Sequence, residues 1–499
     1  MLNSSPLIPH HSEFALDFPS GFIIMCRHRT VNKSNQGVIM TEDIISLEPA
    51  GLNSDKAAGK PVCPVCGRES PDGLADFTML PEDLQKIVSA NTAPGVVLAQ
   101  ICPRCIQLFS RAREQFQSDY AVFEQGGLVL STPLRMDADD RFTGRGVCIA
   151  FLDSGFYSHQ DLTTPSNRIL AYHSIVAAEG DKTTLETPDV SSWHGMMTSV
   201  VAAGNGSLSN GFYRGIAPDA NVVLVKIGYT RGIPEANIER GLKWVMEHRE
   251  EYGIRIVNIS AGGDGQESYL HNSLSQTVEQ AIKEGLIIVC AVGNAGHEPG
   301  HPVYPPASAP SAIAVGGLDD QNSLDRAKRG MYRSSYGPTV DGLQKPEVIA
   351  PGIWVPAPIL PHTPTKEQVE LLAALDDATD EQLHSIIKAH PGVDQELDEA
   401  IAVRVPLLRQ LIAIKMREEN VITAHYKYVD GTSFAAPIVS STIACMLEAN
   451  PGLTPQQVKR ILIDTAERLP SIEIDRQGWG VVTPRRAVEY ALALRGLTS

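Results

Sequence analysis

Val147–Leu152 (VCIAFL) is an unbroken apolar run, and predominantly apolar runs of similar length recur at Val222–Ile227, Ile254–Ile259, Leu286–Val292 and Ala312–Val315. Short runs without regular polar alternation are expected of strands buried on both faces of a sheet. Between them the spacing changes to that of amphipathic helices, as in Glu235–Tyr252 and Gln276–Glu284. Strand alternating with helix predicts the α/β class, with a mostly parallel central sheet and helices on both faces. In such sheets functional groups gather at the carboxyl ends of the strands.

The rhythm defines the organisation. Residues 1–60 are irregular and rich in Ser, Asn, Pro and Gly; residues 61–118 contain two Cys-x-x-Cys pairs; residues 119–145 read as a connector; residues 146–499 carry the strand–helix pattern. Within that last region, 361–425 breaks the alternation. There a capping box from Thr365 and Gln368 is expected to start a helix through Val369, Leu371, Leu372 and Leu375. Helices are also expected at Glu381–Ala389 and Asp394–Glu419, the last interrupted by Pro406. The segment reads as an inserted helical subdomain.

A chain of 499 residues with 43% hydrophobic and 20% charged side chains can bury a large core. Its formal charge of −16 argues against nucleic-acid binding. No stretch has the apolar length needed to cross a bilayer. The amino-terminal residues lack the basic and sustained apolar regions of a signal peptide, and Gly21–Cys26 (GFIIMC) is a poor lipoprotein signal because Met25 stands where a small residue is wanted. Cytoplasmic residence, with no membrane partner, is the expectation.

Three segments place complementary chemistry at the ends of core elements. In Ile149–Gly155 (IAFLDSG), Asp153 follows a buried strand. In Trp193–Gly204 (WHGMMTSVVAAG), His194 opens a small-residue helix. In Asp430–Pro437 (DGTSFAAP), Ser433 opens an apolar helix. A serine hydroxyl needs an imidazole to take its proton, and the imidazole needs a carboxylate to fix its tautomer and stabilise its cation. Asp, His, Ser is one of the known chain orders of that constellation.

These segments resemble the subtilisin-like serine proteases (peptidase S8, the subtilases) over about residues 133–355 and 426–490. Further landmarks match in order: Ile256–Gly263 (IVNISAGG), Ala291–Gly296 (AVGNAG), Tyr304–Gly317 (YPPASAPSAIAVGG), Ser334–Gly337 (SSYG) and Lys345–Gly352 (KPEVIAPG). The resemblance implies a three-layer subtilisin-like fold and serine endopeptidase activity on protein or peptide substrates, with Asp153, His194 and Ser433 as triad. It implies that Asn294 and the backbone N–H of Ser433 form the oxyanion hole. It also implies that Ser260, Ala261, Gly262 and Gly263 form the strand edge that pairs with the peptide substrate, and that Ala291, Val292 and Gly293 line the other wall of the first specificity pocket.

There are departures. The family usually reads His-Gly-Thr-His where this chain has His194-Gly195-Met196-Met197, which bears on packing, since the second His is not a triad member. The stretch from Gly352 to Gly431 is normally short; here it holds the 361–425 segment, which is placed to cover the cleft. A calcium site is common in the family, but no cluster here identifies one. His159, His297 and His301 lie near the motifs and carry no assigned role.

Cys63-Pro-Val-Cys66 and Cys102-Pro-Arg-Cys105 form two knuckles, each delivering two thiolates, a set that suits a closed structural zinc site. Their separation exceeds that of an ordinary zinc ribbon, so a helix over Leu80–Ala90 is expected between them. A redox dithiol pair is the rival reading. Residues Cys102–Phe116 (CPRCIQLFSRAREQF) weakly resemble the four-cysteine zinc domain of the ClpX unfoldase, which implies a protein-docking module. Cys148, Cys290 and Cys445 lie in apolar runs and read as buried small hydrophobes. The alternative to an active protease is a latent or gated protease fold that serves as a regulatory or scaffolding protein, binding partners through the cysteine module or the helical insertion.

Overall fold

A computed structural model describes residues 61–65, 69–90, 92, 96–115, 129–176, 185–229 and 232–498. Expectations for residues 1–60, Cys66 and the first part of the connector therefore lie outside the described residues.

Two short strands, β1 (Ala75–Asp76) and β2 (Gln100–Ile101), pair in the cysteine region. The central sheet is then built from β3 (Cys148–Asp153), β4 (Ile169–Ser174), β5 (Asn221–Lys226), β6 (Ile254–Ile259), β7 (Ile287–Ala291), β8 (Ile313–Asp319), the two-residue β9 (Gly330–Met331) and β12 (Val348–Pro351), with a small separate pair β10 (Gly337–Pro338) and β11 (Gln344–Lys345) preceding β12. The spatial order is β12-β8-β7-β6-β3-β5-β4; all these neighbours run parallel, and only β9 lies antiparallel, on β8. A further antiparallel pair, β13 (Val355–Pro358) and β14 (Tyr426–Val429), brackets the helical segment.

The period of two along each strand sorts side chains into two cores. From β3, Ile149 and Phe151 join one apolar cluster, and Cys148, Ala150 and Leu152 join the other. The first cluster is covered by helices Ser192–Ala203, Thr432–Ala449, Pro455–Thr465 and Pro484–Thr498; the second by Glu235–His248 and Ser273–Lys283. The result is the expected three-layer α/β arrangement. One expectation about apolar length is corrected here: helix Thr432–Ala449 does have the length and apolarity of a bilayer-spanning segment, but 89% of it is buried in the protein. It is the central helix of the first layer. β3 runs one residue past its apolar run to Asp153, β5 begins one residue before its run at Asn221, and β8 continues four residues past Val315 to Asp319, because hydrogen-bonded register extends beyond the apolar positions.

In the 361–425 segment, helices span Pro364–Asp377, Leu383–Ala389, Gln395–Glu399 and Val405–Glu418 around a separate apolar core including Leu371, Leu372, Leu375, Leu383, Leu408 and Ile412. Two local expectations are corrected. The cap of the first helix is Thr363, whose hydroxyl accepts from the Lys366 N–H at 3.2 Å, with Pro364 at the first helical position. Proline has no N–H to satisfy there and its φ suits a first turn, so the helix begins before Thr365. For the same reason Pro406 lies in the first turn of Val405–Glu418 instead of interrupting a longer helix.

The described part of the connector is packed, not loose. Arg135 is buried and donates to Asp320 Oδ1 and Oδ2 at 2.6 and 2.8 Å and to the Ile353 carbonyl at 2.8 Å. Leu130 and Leu134 join the cysteine region's core, which also takes in Phe212, Tyr213 and Tyr426 from the 146–499 region.

Candidate active site

Asp153 ends β3 at the carboxyl edge of the sheet and is buried. Its Oδ1 accepts from the Ser154 N–H at 2.7 Å and lies 2.7 Å from Nδ1 of His194; its Oδ2 accepts from the Thr198 hydroxyl at 3.2 Å. His194 is the third residue of helix Ser192–Ala203. That helix can approach the strand end only because Gly195 follows. A Cβ at 195 would stand 2.1 Å from the Gly155 carbonyl oxygen and 2.9 Å from Asp153 Cβ. Burial works against the imidazolium of His194, but the charge of Asp153 and the hydrogen bond to it outweigh burial, so its pKa lies above the ordinary histidine value. Met196 and Met197 are both buried in the core, which accounts for two thioethers after the His-Gly pair.

Ser433 is the second residue of helix Thr432–Ala449 and is half-buried. A run of buried polar groups fixes its backbone: the Ser440 hydroxyl donates to Asn258 Oδ1 (3.0 Å), Asn258 Nδ2 donates to Ser260 Oγ (3.0 Å), and Ser260 Oγ donates to the Ser433 carbonyl (2.8 Å). The side chain of Ser260 is thus spent inward, and what it offers the cleft is backbone. Ser433 Oγ itself makes no hydrogen bond among the described residues. Hydroxyl–imidazole contacts are commonly long without substrate and tighten in the complex. The His194 ring stands 5.7 Å, centre to centre, from that of Phe434, the next residue.

Asn294 is exposed on the loop after β7. Its Oδ1 accepts from both the N–H and the hydroxyl of Thr432, at 2.9 and 3.0 Å, which leaves Nδ2 as a free donor on the other side of the amide. At Gly431, with φ of +132°, a Cβ would lie 3.8 Å from both Asn294 Nδ2 and the Ser433 nitrogen. These two donors therefore border one small region at the positive end of a long helix, where a developing oxyanion is favoured. Ser335 braces the same loop: its N–H donates to the Gly293 carbonyl at 2.9 Å and its Oγ accepts from the Ala295 N–H at 3.2 Å.

The remaining cleft residues sit at strand ends. Ala261 and Gly262 follow β6 and make no backbone–backbone hydrogen bond among the described residues, so this edge can pair with an extended peptide. Gly263 is held by its N–H to the Pro305 carbonyl at 2.7 Å. Ala291 ends β7, Val292 is buried, and Gly293 has φ of +107°. Any Cβ there would also stand 2.8 Å from Ser335 Oγ.

Three of the four paired cysteines converge. The Sγ atoms of Cys63, Cys102 and Cys105 lie within 4.8 Å of one another and are buried. Backbone N–H groups of Cys102 and Cys105 donate to the sulfurs of Cys63 and Cys102 at 3.3 and 3.4 Å. Cys66 lies outside the described residues. The intervening helix spans Glu82–Ala90. By contrast Cys148, Cys290 and Cys445 are single and buried, and burial pushes the thiols of Cys148 and Cys290 up to about 12. They have the inert character expected of core cysteines.

Two features were not read from the sequence. Thr432 stood inside the Asp430–Pro437 segment, but only its contact with Asn294 reveals its part. The Lys345–Glu347 pair of the KPE segment is structural: Glu347 Oε1 accepts from Lys345 and Lys459, each at 2.7 Å, in a buried cluster. Burial, partly countered by Glu347, holds the pKa of Lys345 below the ordinary lysine value.

Residues 144–480 match the subtilase family (peptidase S8). Among characterised proteins, the chain is 28% identical to serine protease AprX of Bacillus subtilis over 69% of this chain and 67% of AprX. It is 30% identical to subtilisin Savinase of Lederbergia lenta over 69% of this chain and 91% of that protein. It is 32% identical to alkaline elastase YaB of a Bacillus species over 43% of this chain and 47% of that protein.

Proposed function

As the chain belongs to the subtilase family of serine proteases, we propose that it is an endopeptidase acting on proteins or peptides through Asp153, His194, Ser433 and Asn294. Ser433 Oγ attacks the peptide carbonyl carbon while His194 takes the hydroxyl proton. Asp153 holds the imidazole by its Nδ1 and stabilises the cation. The negative charge that develops on the carbonyl oxygen is met by Asn294 Nδ2 and the Ser433 N–H. His194 then gives its proton to the departing amine and the C–N bond breaks. Water enters, His194 takes one of its protons as the oxygen attacks the acyl carbon, and the Ser433 oxygen then leaves, taking that proton back from His194 and releasing the free acid.

The observation that carries this reading is the 2.7 Å contact between His194 and a buried carboxylate, beside two N–H donors that border one region. Without substrate chemistry to serve, a buried Asp–His pair of this kind would be a costly way to end a strand. Mapping the peptide bonds cut in an unfolded protein mixture tests the reading. New termini should appear with the wild type and be absent with Ser433→Ala; equal cleavage by both would refute it.

The cysteine cluster fits a structural zinc ion. A tetrahedral zinc with sulfurs at about 2.3 Å needs thiolates about 3.8 Å apart, compatible with sulfurs held within 4.8 Å. Cys63, Cys102 and Cys105 would hold it, with Cys66 as the fourth ligand on the grounds of its spacing. When bound, such an ion contributes folding energy and no chemistry to peptide hydrolysis.

A further inference from the structure

A cavity of about 680 Å³, which the mechanism leaves unused, opens beside Trp193 and Phe434, the chain neighbours of His194 and Ser433. Its lining includes Trp193, Met197 and Phe434 on the catalytic side, Tyr428 on β14, and Pro364 and Thr365 at the start of the first helix of the 361–425 segment. Trp193 meets the His194 ring edge-on at 5.1 Å and Phe434 meets it at 5.7 Å, so two rings of the cavity wall flank the imidazole, which does not itself line the cavity. None of Ser260–Gly263, Ala291–Gly293 or Asn294 lines it.

That division of walls identifies the occupant. The acyl half of a peptide lies against the β6 and β7 edges, with its carbonyl oxygen toward Asn294. The other half carries the amine that receives the proton of His194. A cavity walled by the two rings that flank the imidazole, and sharing nothing with the acyl walls, therefore faces the leaving half. Its size falls in the range of ligand sites and its walls are largely aromatic and aliphatic. The outer wall is supplied by a helix whose own core is separate from the sheet's, so it can vary without disturbing the triad. That helix is tied at its base: Lys366 donates to the Ala424 carbonyl, and the Ile359 N–H donates to the His425 carbonyl at 3.0 Å.

We propose that this cavity is a specificity site for a large apolar residue in the first or second position downstream of the cleaved bond, completed by the 361–425 segment. The inference rests on the protease reading above. It predicts that apolar residues there raise kcat/KM, since burying a Leu or Phe side chain is worth a tenfold effect or more.

The test uses the full chain and quenched fluorescent peptides with one fixed acyl half and Gly, Leu or Phe at each of the two downstream positions. The wild type should favour Leu or Phe over Gly by about tenfold or more in kcat/KM at one position. Thr365→Trp, on an exposed first turn, should fill the cavity and bring that ratio to within about twofold, as should Val190→Trp on the facing wall. The ratio is independent of the fraction of folded enzyme. A wild-type ratio near one at both positions, or a preference that both variants retain, overturns the inference. Wild type that cleaves all peptides without preference removes this inference alone, whereas wild type that cleaves none and fails to react with a fluorophosphonate removes the protease reading with it.

Discussion

Thr432 holds the side-chain amide of Asn294 from two sides at once, with backbone N–H and hydroxyl both donating to Oδ1 at 2.9 and 3.0 Å. The same hydroxyl accepts from the Gly293 N–H at 3.3 Å. The residue before the proposed nucleophile thereby orients the proposed oxyanion donor. Asn294→Ala should lower kcat by about 10²–10³ with little change in KM, a magnitude taken from the corresponding donor of a subtilisin. Thr432→Val should lower kcat by roughly tenfold, and Thr432→Ser should restore it. Steady-state kinetics on one peptide checks all three, and an unaffected kcat in Thr432→Val would show that the amide needs no such support.

Proton transfer gives the second prediction. His194 must be neutral to accept the proton of Ser433, and its pKa lies above the ordinary value of about 6.5. The acid limb of kcat/KM should therefore have its midpoint above about 6.5, and activity should rise through it with pH. Stability runs the other way. The pairing of imidazolium with Asp153 stabilises the fold fully below the unfolded pKa and is lost as pH rises through the folded one. Asp153→Asn should reduce kcat by about 10⁴, as in other triads. A pH–rate profile flat to about pH 4 would contradict the assignment.

A metal-bound cysteine cluster should be visible in composition and in stability. Elemental analysis of the purified chain should find about one zinc per molecule, and Cys102→Ser should lower both the zinc content and the thermal midpoint by several degrees. Tyr426 belongs to the core around the cysteines and also begins β14, which leads to Ser433. Its hydroxyl donates to buried Asp161 at 2.6 Å. Stripping the metal with a chelator should therefore reduce peptidase rate along with stability. A metal-free chain with undiminished Tm would remove the zinc proposal.

The buried charges of the KPE segment give a prediction of stability alone. Glu347 accepts from two ammonium groups and from the Ala314 N–H at 2.7 Å. Glu347→Gln leaves Lys345 and Lys459 without their anion and should cost about 3–5 kcal/mol, measured by denaturant unfolding. A change below about 1 kcal/mol would mean that the lysines find other partners or lose their charge.

The sheet was legible because strands buried on both faces leave apolar runs, and each such run does lie in a strand. The three segments holding Asp153, His194 and Ser433 were legible for a related reason: each polar residue closes or opens an apolar element, which puts it at the sheet's carboxyl edge. Contacts between distant elements were not. Nothing local tells that Thr363 and not Thr365 caps its helix until Pro364 is weighed as a first-turn residue. Nothing tells that Ser260 turns its hydroxyl inward to Ser433, 173 residues away in sequence, or that Trp193 and Thr365 face one cavity. Such pairings depend on how separate elements pack, and that information resides in no single stretch of the chain.

Active-site labelling bears most directly on the central assignment. A fluorophosphonate reacts only with a serine whose hydroxyl can be deprotonated by a neighbouring base and whose adduct is held by oxyanion donors. The full-length chain should be labelled at Ser433, identified by mass spectrometry of the modified peptide. Labelling should be abolished in Ser433→Ala and strongly slowed in His194→Ala. Equal labelling of wild type and Ser433→Ala, or a folded wild type that takes up no label at all, would contradict the account.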